Sequence, residues 1–508
     1  MEDEADCAEC QQQEVRTSDR LGPPARQQGR GKSKHHERDR HGHQQDQQFQ
    51  GHVPRLPAGN RAVGIAAPAR RWAVVTEGKP QRSVLSLAVP ALAVLAAEPL
   101  YLLVDTAVVG HLGALSLAGL AIGGAIFAVT AILFNFLAYG TTGRAARWYG
   151  LGRRDAAVAE GVQASWLAVG IGVLVVVLIQ ILAGPLTRAL AGGATPAQVA
   201  AEQWLRIAVL GAPFILLTLA GNGWMRGVQD TARPFRYVLF ANGLSAALCP
   251  VLVYPVGLGL PGSAIANVVA QVVGGLLFIR ALTRTGASLR PDRAILLAQL
   301  RVGRDLGVRT VVLQVCFLSA AGVAARMGVA QVGAHQIALQ LFFFLALVLD
   351  AFAIAAQSLV GESLGAGRVE QARATAWRVT RYGAVGGLAA AAVLLAGSTV
   401  IPGIFTPDEA VLDQARAVWW WLALMQPLAG VVFALDGVLM GAGDVGFLRT
   451  LTLFAGLIGF LPLSLLAIPL DLGLGGVWAG LTLFIVLRLV GTAWRVHSGR
   501  WTIVGERA

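Results

Sequence analysis

Shifted by 215 positions, the first part of this chain's apolar region matches its second half without a gap. Gly113 meets Gly328, Ile122 meets Ile337, Phe127 meets Phe342, and Gly150, Gly152 and Arg153 meet Gly365, Gly367 and Arg368. Farther along, the shift is 214. Asn222-Gly223 meets Asp436-Gly437, Gly227 meets Gly441, and Leu258-Gly259-Leu260 meets Leu472-Gly473-Leu474. The matching segments are almost wholly apolar, so the duplicated unit belongs in a bilayer. Two tandem membrane units imply two halves around a shared cavity, the plan of a secondary carrier.

Composition supports the membrane assignment. The chain is 55% hydrophobic and 14% charged, with a mean hydropathy of +0.61, whereas a soluble domain carries about 25% charged residues. From Ser83 onward, apolar segments alternate with short polar or Gly/Pro-bearing breaks. They predict twelve membrane helices: 83–109, 115–142, 156–183, 198–221, 231–255, 261–283, 301–325, 331–358, 372–398, 414–437, 446–469 and 474–495. Each is long enough, or nearly so with its flanks, to cross a hydrocarbon core of about 30 Å. Pro90, Pro99, Pro213, Pro250 and Pro462 fall inside spans and predict bends, because neighbouring helices can satisfy the freed carbonyls.

The expected fold is an all-α integral membrane protein. Its twelve transmembrane helices form two parallel six-helix, pseudo-symmetric lobes around a central cleft. An N-lobe covers 83–283, a cytoplasmic inter-lobe loop 284–300, a C-lobe 301–495 and a short cytoplasmic tail 496–508. Six spans per copy is an even number, so the repeats run parallel and not inverted. Arginines such as Arg144, Arg147, Arg153, Arg226, Arg233, Arg284, Arg368 and Arg449 gather in alternate loops. By the positive-inside rule, that places both termini in the cytoplasm. The net charge of +12 is largely this bias, so nucleic acid is not an expected partner.

Residues 1–80 are polar and rich in Gln, Arg and His, a composition expected to stay disordered. Cys7 and Cys10 with His35, His36, His41, His43 and His52 lack the regular ligand-pair spacing of a zinc site. The tail is read as solvated, or as an upstream misassigned start. Cys249 and Cys316 lie inside apolar runs, so the four cysteines form no disulfide framework.

Ionisable groups at membrane depth need a reason, since each costs about 2.5–3.5 kcal/mol to insert. Four acids within the spans stand out: Glu98, Asp105, Asp350 and Asp436. Glu98 and Asp105 are two helical turns apart and share a face of the first helix. A carboxylate withdrawn from water takes up a proton more readily, so this pair is the candidate ion-coupling site. Asp350 with Gln357 on the same face, Asn135 at the repeat-equivalent position and Asp436 are candidates for a substrate or second-lobe polar site. Asp436, near the inner end of its span, is expected to be reached by water and to act structurally. Asp230 and Asp444 read as cap or loop residues, and His335 as a packed histidine.

The segment Glu98-Pro-Leu-Tyr-Leu-Leu-Val-Asp105-Thr-Ala-Val-Val-Gly-His-Leu-Gly113 resembles the first helix and loop of the multidrug and toxic compound extrusion (MATE) family, in its DinF-like branch. Gly333-Ala-His-Gln336, Asp350-Ala-Phe-Ala-Ile-Ala-Ala-Gln357-Ser-Leu-Val-Gly361 and Asp436-Gly-Val-Leu-Met-Gly-Ala-Gly-Asp444 resemble signatures of the same branch's second half. The resemblance covers 83–495. It implies export of organic, often cationic, compounds against inward H⁺ or Na⁺, with Asp105 as the main protonation site and Pro99 placed for a helix bend. One departure matters. The family's Asn-x-x-Leu-Asp-Pro pattern in the fifth helix is here Ser245-Ala-Ala-Leu248-Cys249-Pro250, so the second carboxylate is missing. That favours H⁺ over Na⁺.

The sequence therefore predicts a proton-coupled exporter of cationic organic compounds, working by alternating access in the plasma (inner) membrane as a multi-pass protein. The alternatives are a Na⁺-coupled exporter of the same fold and a lipid-linked glycan flippase. The latter would call for a basic cavity. No enzyme signature such as HExxH or a phosphate-binding loop appears. The expected partners are the lipid bilayer and small organic substrates, with no cofactor and no metal, and the chain is expected to be a monomer.

Overall fold

A computed structural model describes residues 82–505; the 1–80 tail and its Cys/His residues lie outside the described residues. Twelve helices in it are long and apolar enough to cross a membrane. They are α1 (Val84–Gly110), α2 (Ala114–Gly150), α3 (Arg154–Ala191), α4 (Pro196–Gly227), α5 (Ala232–Val253) and α6 (Leu260–Thr283) in the first half. The second half holds α7 (Arg293–Met327), α8 (Val329–Gly365), α9 (Val369–Ala396), α10 (Glu409–Gly441), α11 (Val445–Leu466) and α12 (Gly473–His497). No strand occurs among the described residues.

Several helices outrun the predicted spans at the arginine-rich end, called here the basic end. Hydropathy sees only the lipid-buried stretch, while these helices continue as polar turns beyond it. The expected 284–300 loop is shortened for this reason. α7 begins at Arg293, where the Asp292 carboxylate accepts from the amides of Ala294 (2.8 Å) and Ile295 (3.3 Å), satisfying donors that a helix start leaves open.

Three spans are interrupted. In α4, a 3₁₀ turn at Val209–Gly211 precedes Pro213. In α11, a π-helical stretch at Ala455–Phe460 precedes Pro462. Both follow from the missing proline amide. The break in α2 lies at Asn135, between Ala114–Phe134 and Phe136–Gly150, with no proline. α1 continues as helix through Pro90 and Pro99.

The repeat reappears as packing. A Cβ on Gly150 of α2 would fall on the carbonyl oxygen of Glu362 in α8, and one on Gly365 would fall on that of Arg147. Under the 215 shift these two contacts are the same contact with the helices exchanged. Likewise Gly223 of α4 lies against the Ala138 carbonyl, and Gly437 of α10 against that of Ala353. The copied glycines are therefore close backbone approaches, which only a residue without a side chain permits.

The halves are joined at the basic end. Val84, Leu87 and Ala88 of α1 pack with Ala351, Ala355 and Leu359 of α8, Val438 of α10 and the C-terminal Trp501. The hydrogen bonds between the halves gather here as well. Gln229 donates to Glu362 (2.7 Å), Ser358 to the Arg226 carbonyl (2.7 Å) and Gln299 to Glu160 (2.7 Å). Arg147 donates to the carbonyls of Ala442 (2.6 Å), Gly505 (2.9 Å), Ile503 (3.2 Å) and Gly441 (3.4 Å). Toward the opposite end, α1 exposes Leu100, Leu102 and Leu103, α7 exposes Leu318, and α8 exposes Phe344.

Candidate functional site

Two polar clusters lie at membrane depth, one inside the first half and one between the halves. The first is built on α1. Its buried stripe runs through Val94, Ala97, Tyr101, Asp105 and Val109, which faces Asp105 toward α5 and α6. The Asp105 carboxylate, 2% exposed, accepts from the Ser263 hydroxyl (2.7 Å) and the Cys249 thiol (3.1 Å). The Trp204 indole donates to Ser263 (3.3 Å), and Asn267 donates to the Tyr101 hydroxyl (3.0 Å). Asp105 forms no ion pair among the described residues. Cys249 thus touches the acid from the position where the family pattern has a carboxylate.

Glu98 stands apart from this cluster. It is exposed and has no hydrogen-bond or ion-pair partner among the described residues. Seven residues do place it near the Asp105 direction, but the buried stripe passes through Ala97 and Tyr101 instead. Pro99, its neighbour, is exposed too.

The second cluster is assembled across the halves. Tyr139, on the inner part of α2, donates its hydroxyl to Asp350 of α8 (2.5 Å), and Gln357 donates to the Tyr139 carbonyl. Asp350 and Gln357 do share a face, as their spacing predicts. That face grips a tyrosine of the other half rather than lining a cavity of its own. Asn135, at the break in α2, joins neither cluster.

Asp436 corrects the sequence reading. It is 2% exposed and sealed from water. One of its oxygens, Oδ2, receives Arg309 of α7 (2.5 Å) and also Arg488 of α12. Its other oxygen has no partner, and neither do the Nε atoms of Arg309 and Arg488. Arg226 of α4 is 5% exposed, and its guanidinium forms no hydrogen bond or ion pair among the described residues; Asp350 and Tyr139 are the acidic groups within its electrostatic reach. Buried donors left without acceptors cost about 1–3 kcal/mol each, so this cluster is incompletely satisfied.

Sequence reasoning missed these arginines. An arginine near a span end reads as topogenic, and nothing in hydropathy distinguishes one that turns inward. It also missed Glu160 of α3, fully buried, which binds Arg144 (2.7 Å), the Trp148 indole (3.2 Å) and Gln299. Ser263 and Asn267 were detectable as polar residues one turn apart in an apolar span. His335 is packed as expected, 1% exposed and edge-on to Trp478 (5.8 Å). Asp230 accepts from the Arg233 amide (3.2 Å), and Asp444 pairs with Arg495 (2.7 Å) at the start of α11.

The MatE family model matches the chain twice, over residues 90–251 and 306–465, one match in each half. The chain is 35% identical over 449 residues to Protein DETOXIFICATION 44, chloroplastic, of Arabidopsis thaliana, covering 84% of both chains. It is 32% identical over 419 residues to DNA damage-inducible protein F of Escherichia coli (strain K12), covering 79% of this chain and 90% of that one. Its fold is similar to a crystal structure of MATE in the bent conformation, with a TM-score of 0.75 at 23% identity, over 82% of this chain and 95% of that one.

Proposed function

The chain belongs to the MatE family of multi-pass membrane transporters, and from that premise we propose that it exports organic compounds in exchange for protons. It is a carrier and not an enzyme. The observation that carries the proton assignment is Asp105: a buried carboxylate at membrane depth, held by a hydroxyl and a thiol and by no cationic side chain among the described residues. Such a group can be charged or neutral without breaking an ion pair. A hard cation such as Na⁺ prefers several oxygen ligands, and Cys249 supplies sulfur where a second carboxylate would serve it.

The halves are the moving parts. The halves are closed on each other at the basic end through hydrogen bonds and close backbone contacts, and a duplicated frame closed at one end supports alternating access by rocking of one half against the other. In this reading the basic end faces the cytoplasm of the plasma membrane, with both termini there and one chain acting as a monomer. The Arabidopsis relative is named as a chloroplast protein, so a tagged fusion is the direct test of which membrane applies here.

The expectation of cationic cargo rested on membrane-depth charges being acidic. Arg226, Arg309 and Arg488 remove that premise for the second cluster, while Glu98 still offers an unpaired acid on the first half.

The test is transport in everted vesicles, driven by an imposed pH gradient, with two fluorescent dyes of opposite charge. Asp105→Asn is expected to abolish gradient-driven movement of whichever dye is carried, and Glu98→Gln to weaken movement of a cation only. Full pH-driven transport in Asp105→Asn would refute the assignment; transport driven by Na⁺ and indifferent to pH would reverse the choice of ion.

A further inference from the structure

We propose that the basic-end face of α9 binds the headgroup of an anionic phospholipid, with an acyl chain laid along the same helix beyond it. The proposal goes past the exporter reading and depends on neither the coupling ion nor the cargo.

The face is built in two parts. Arg378, Arg381, Val385 and Leu388 are exposed, and steps of three, four and three residues set them on one side of a helix. That side is cationic toward the basic end and apolar farther along. Trp377 and Tyr382 flank it and are exposed too, as aromatic rings are at a membrane–water boundary. A soluble anion would use only the charged part, whereas a phospholipid matches both.

The charges lack anions. Among the described residues, Arg378 and Arg381 form no hydrogen bond or ion pair. Glu370, the acid of the first turn of α9, is taken by Arg373 (3.0 Å). A Cβ on Gly499 would lie 3.3 Å from the Arg373 guanidinium, so the turn that bears the exposed Arg500 adds to the same cationic surface. Like charges one helical turn apart repel. A phosphate accepts from both guanidinium groups and removes that repulsion, which is how basic side chains at a membrane surface attract anionic lipid.

The repeat shows what the first half does at the same place. The 215 shift sets Arg378 on Gln163 and Arg381 on Trp166 of α3, and there the two positions hold chain. Gln163 donates to the Arg290 carbonyl (2.9 Å) and accepts from the Asp292 amide (2.9 Å), and the Trp166 indole donates to the Leu289 carbonyl (2.8 Å). The segment they hold, 287–292, is irregular backbone, which does not lie against hydrocarbon, so this level is the headgroup zone. In the second half the chain after α12 turns elsewhere: Trp501 is buried in the core that joins the halves, and Arg147 holds Ile503 and Gly505. The two arginines thus stand where the first half binds its own chain, and lipid takes the place of that segment.

The experiment is thermal unfolding of the purified full chain in neutral detergent, at constant ionic strength, titrated with dioctanoyl phosphatidylglycerol, dioctanoyl phosphatidylcholine or glycerol 3-phosphate. A ligand of the folded state raises the melting temperature in proportion to its binding. Phosphatidylglycerol is expected to do so saturably, and the other two are not. The double variant Arg378→Gln, Arg381→Gln breaks no contact of the fold, so it should melt near the wild type without lipid yet bind phosphatidylglycerol at least tenfold more weakly. Arg280→Gln with Arg284→Gln removes the same charge from exposed positions at the end of α6 and should leave that binding unchanged. An equal rise with glycerol 3-phosphate would mean a free phosphate site, and one with phosphatidylcholine would mean general solvation; either would overturn the proposal. Undiminished binding in the α9 variant, or equal weakening in the α6 variant, would overturn the site.

Discussion

Substituting alanine for Gly365 places a methyl group on the Arg147 carbonyl oxygen, a backbone atom that cannot swing aside. α2 and α8 must separate to admit it. Overpacking of this kind costs about 1–3 kcal/mol. The overlap exists only where the two helices touch, so the cost falls on the state closed at the basic end. With 1.4 kcal/mol per factor of ten, the balance between closed and open should move roughly 5- to 150-fold toward open. Gly150→Ala, the repeat equivalent, should do the same. A reporter is available at Ser358, which is 2% exposed in the closed state. Ser358→Cys, with Cys7 and Cys10 replaced by serine, should react with a maleimide only when the basic end parts. Both alanine variants should speed that labelling about fivefold or more, without lowering the melting temperature enough to expose the buried Cys249 and Cys316. Gly322→Ala, in α7 with open space around it, is the control and should change nothing. Unchanged labelling in both variants, or an equal increase in the control, would refute the reasoning.

Three further outcomes are expected. Cys249→Asp sets a second carboxylate beside Asp105 and Ser263 and should let a Na⁺ gradient drive transport in place of the proposed H⁺ coupling; no Na⁺-driven flux would count against the reading of Cys249. Asp436→Asn strips the buried Arg488 and the half-buried Arg309 of their shared anion, at a cost of about 3–5 kcal/mol, and should lower the melting temperature far more than Gln357→Met, which loses one hydrogen bond worth about 1 kcal/mol; equal melting would argue against the ion cluster as drawn. Arg147→Gln should free the segment after α12 and speed tryptic cleavage at the exposed Arg500, followed as loss of a C-terminal tag; unaltered cleavage would mean that Trp501 alone anchors it.

The helices were legible in the sequence because the membrane makes a blunt demand, about twenty apolar residues per crossing. Their ends were less so, since past the lipid boundary the polar turns of α7 and α8 look like loop. Asp105 was found because an acid amid leucines is conspicuous. Of its partners, Cys249 was placed only by the family resemblance and Ser263 was not placed, because both come from helices more than a hundred residues away in sequence. The spacing of Asp350 and Gln357 correctly placed them on one face, but spacing within one helix carries no information about what stands opposite, and there it is Tyr139. The arginines were hidden for a different reason. Arg226 and Arg309 lie toward the basic end of their helices, where the topogenic pattern supplies a sufficient and misleading explanation.

The exchanged glycine contacts also restrict how the halves can move. Sliding α2 along α8 would carry Gly150 past Glu362 while forcing bulkier neighbours onto the same carbonyls, and the mirrored contact at Gly365 would jam in the same instant. Translation along the helices is thereby opposed, and under the proposed rocking a tilt that lifts both contacts together meets less resistance. A carrier so constrained should open at the basic end in a single concerted step, with one relaxation time whether it is followed from Gly150 or from Gly365.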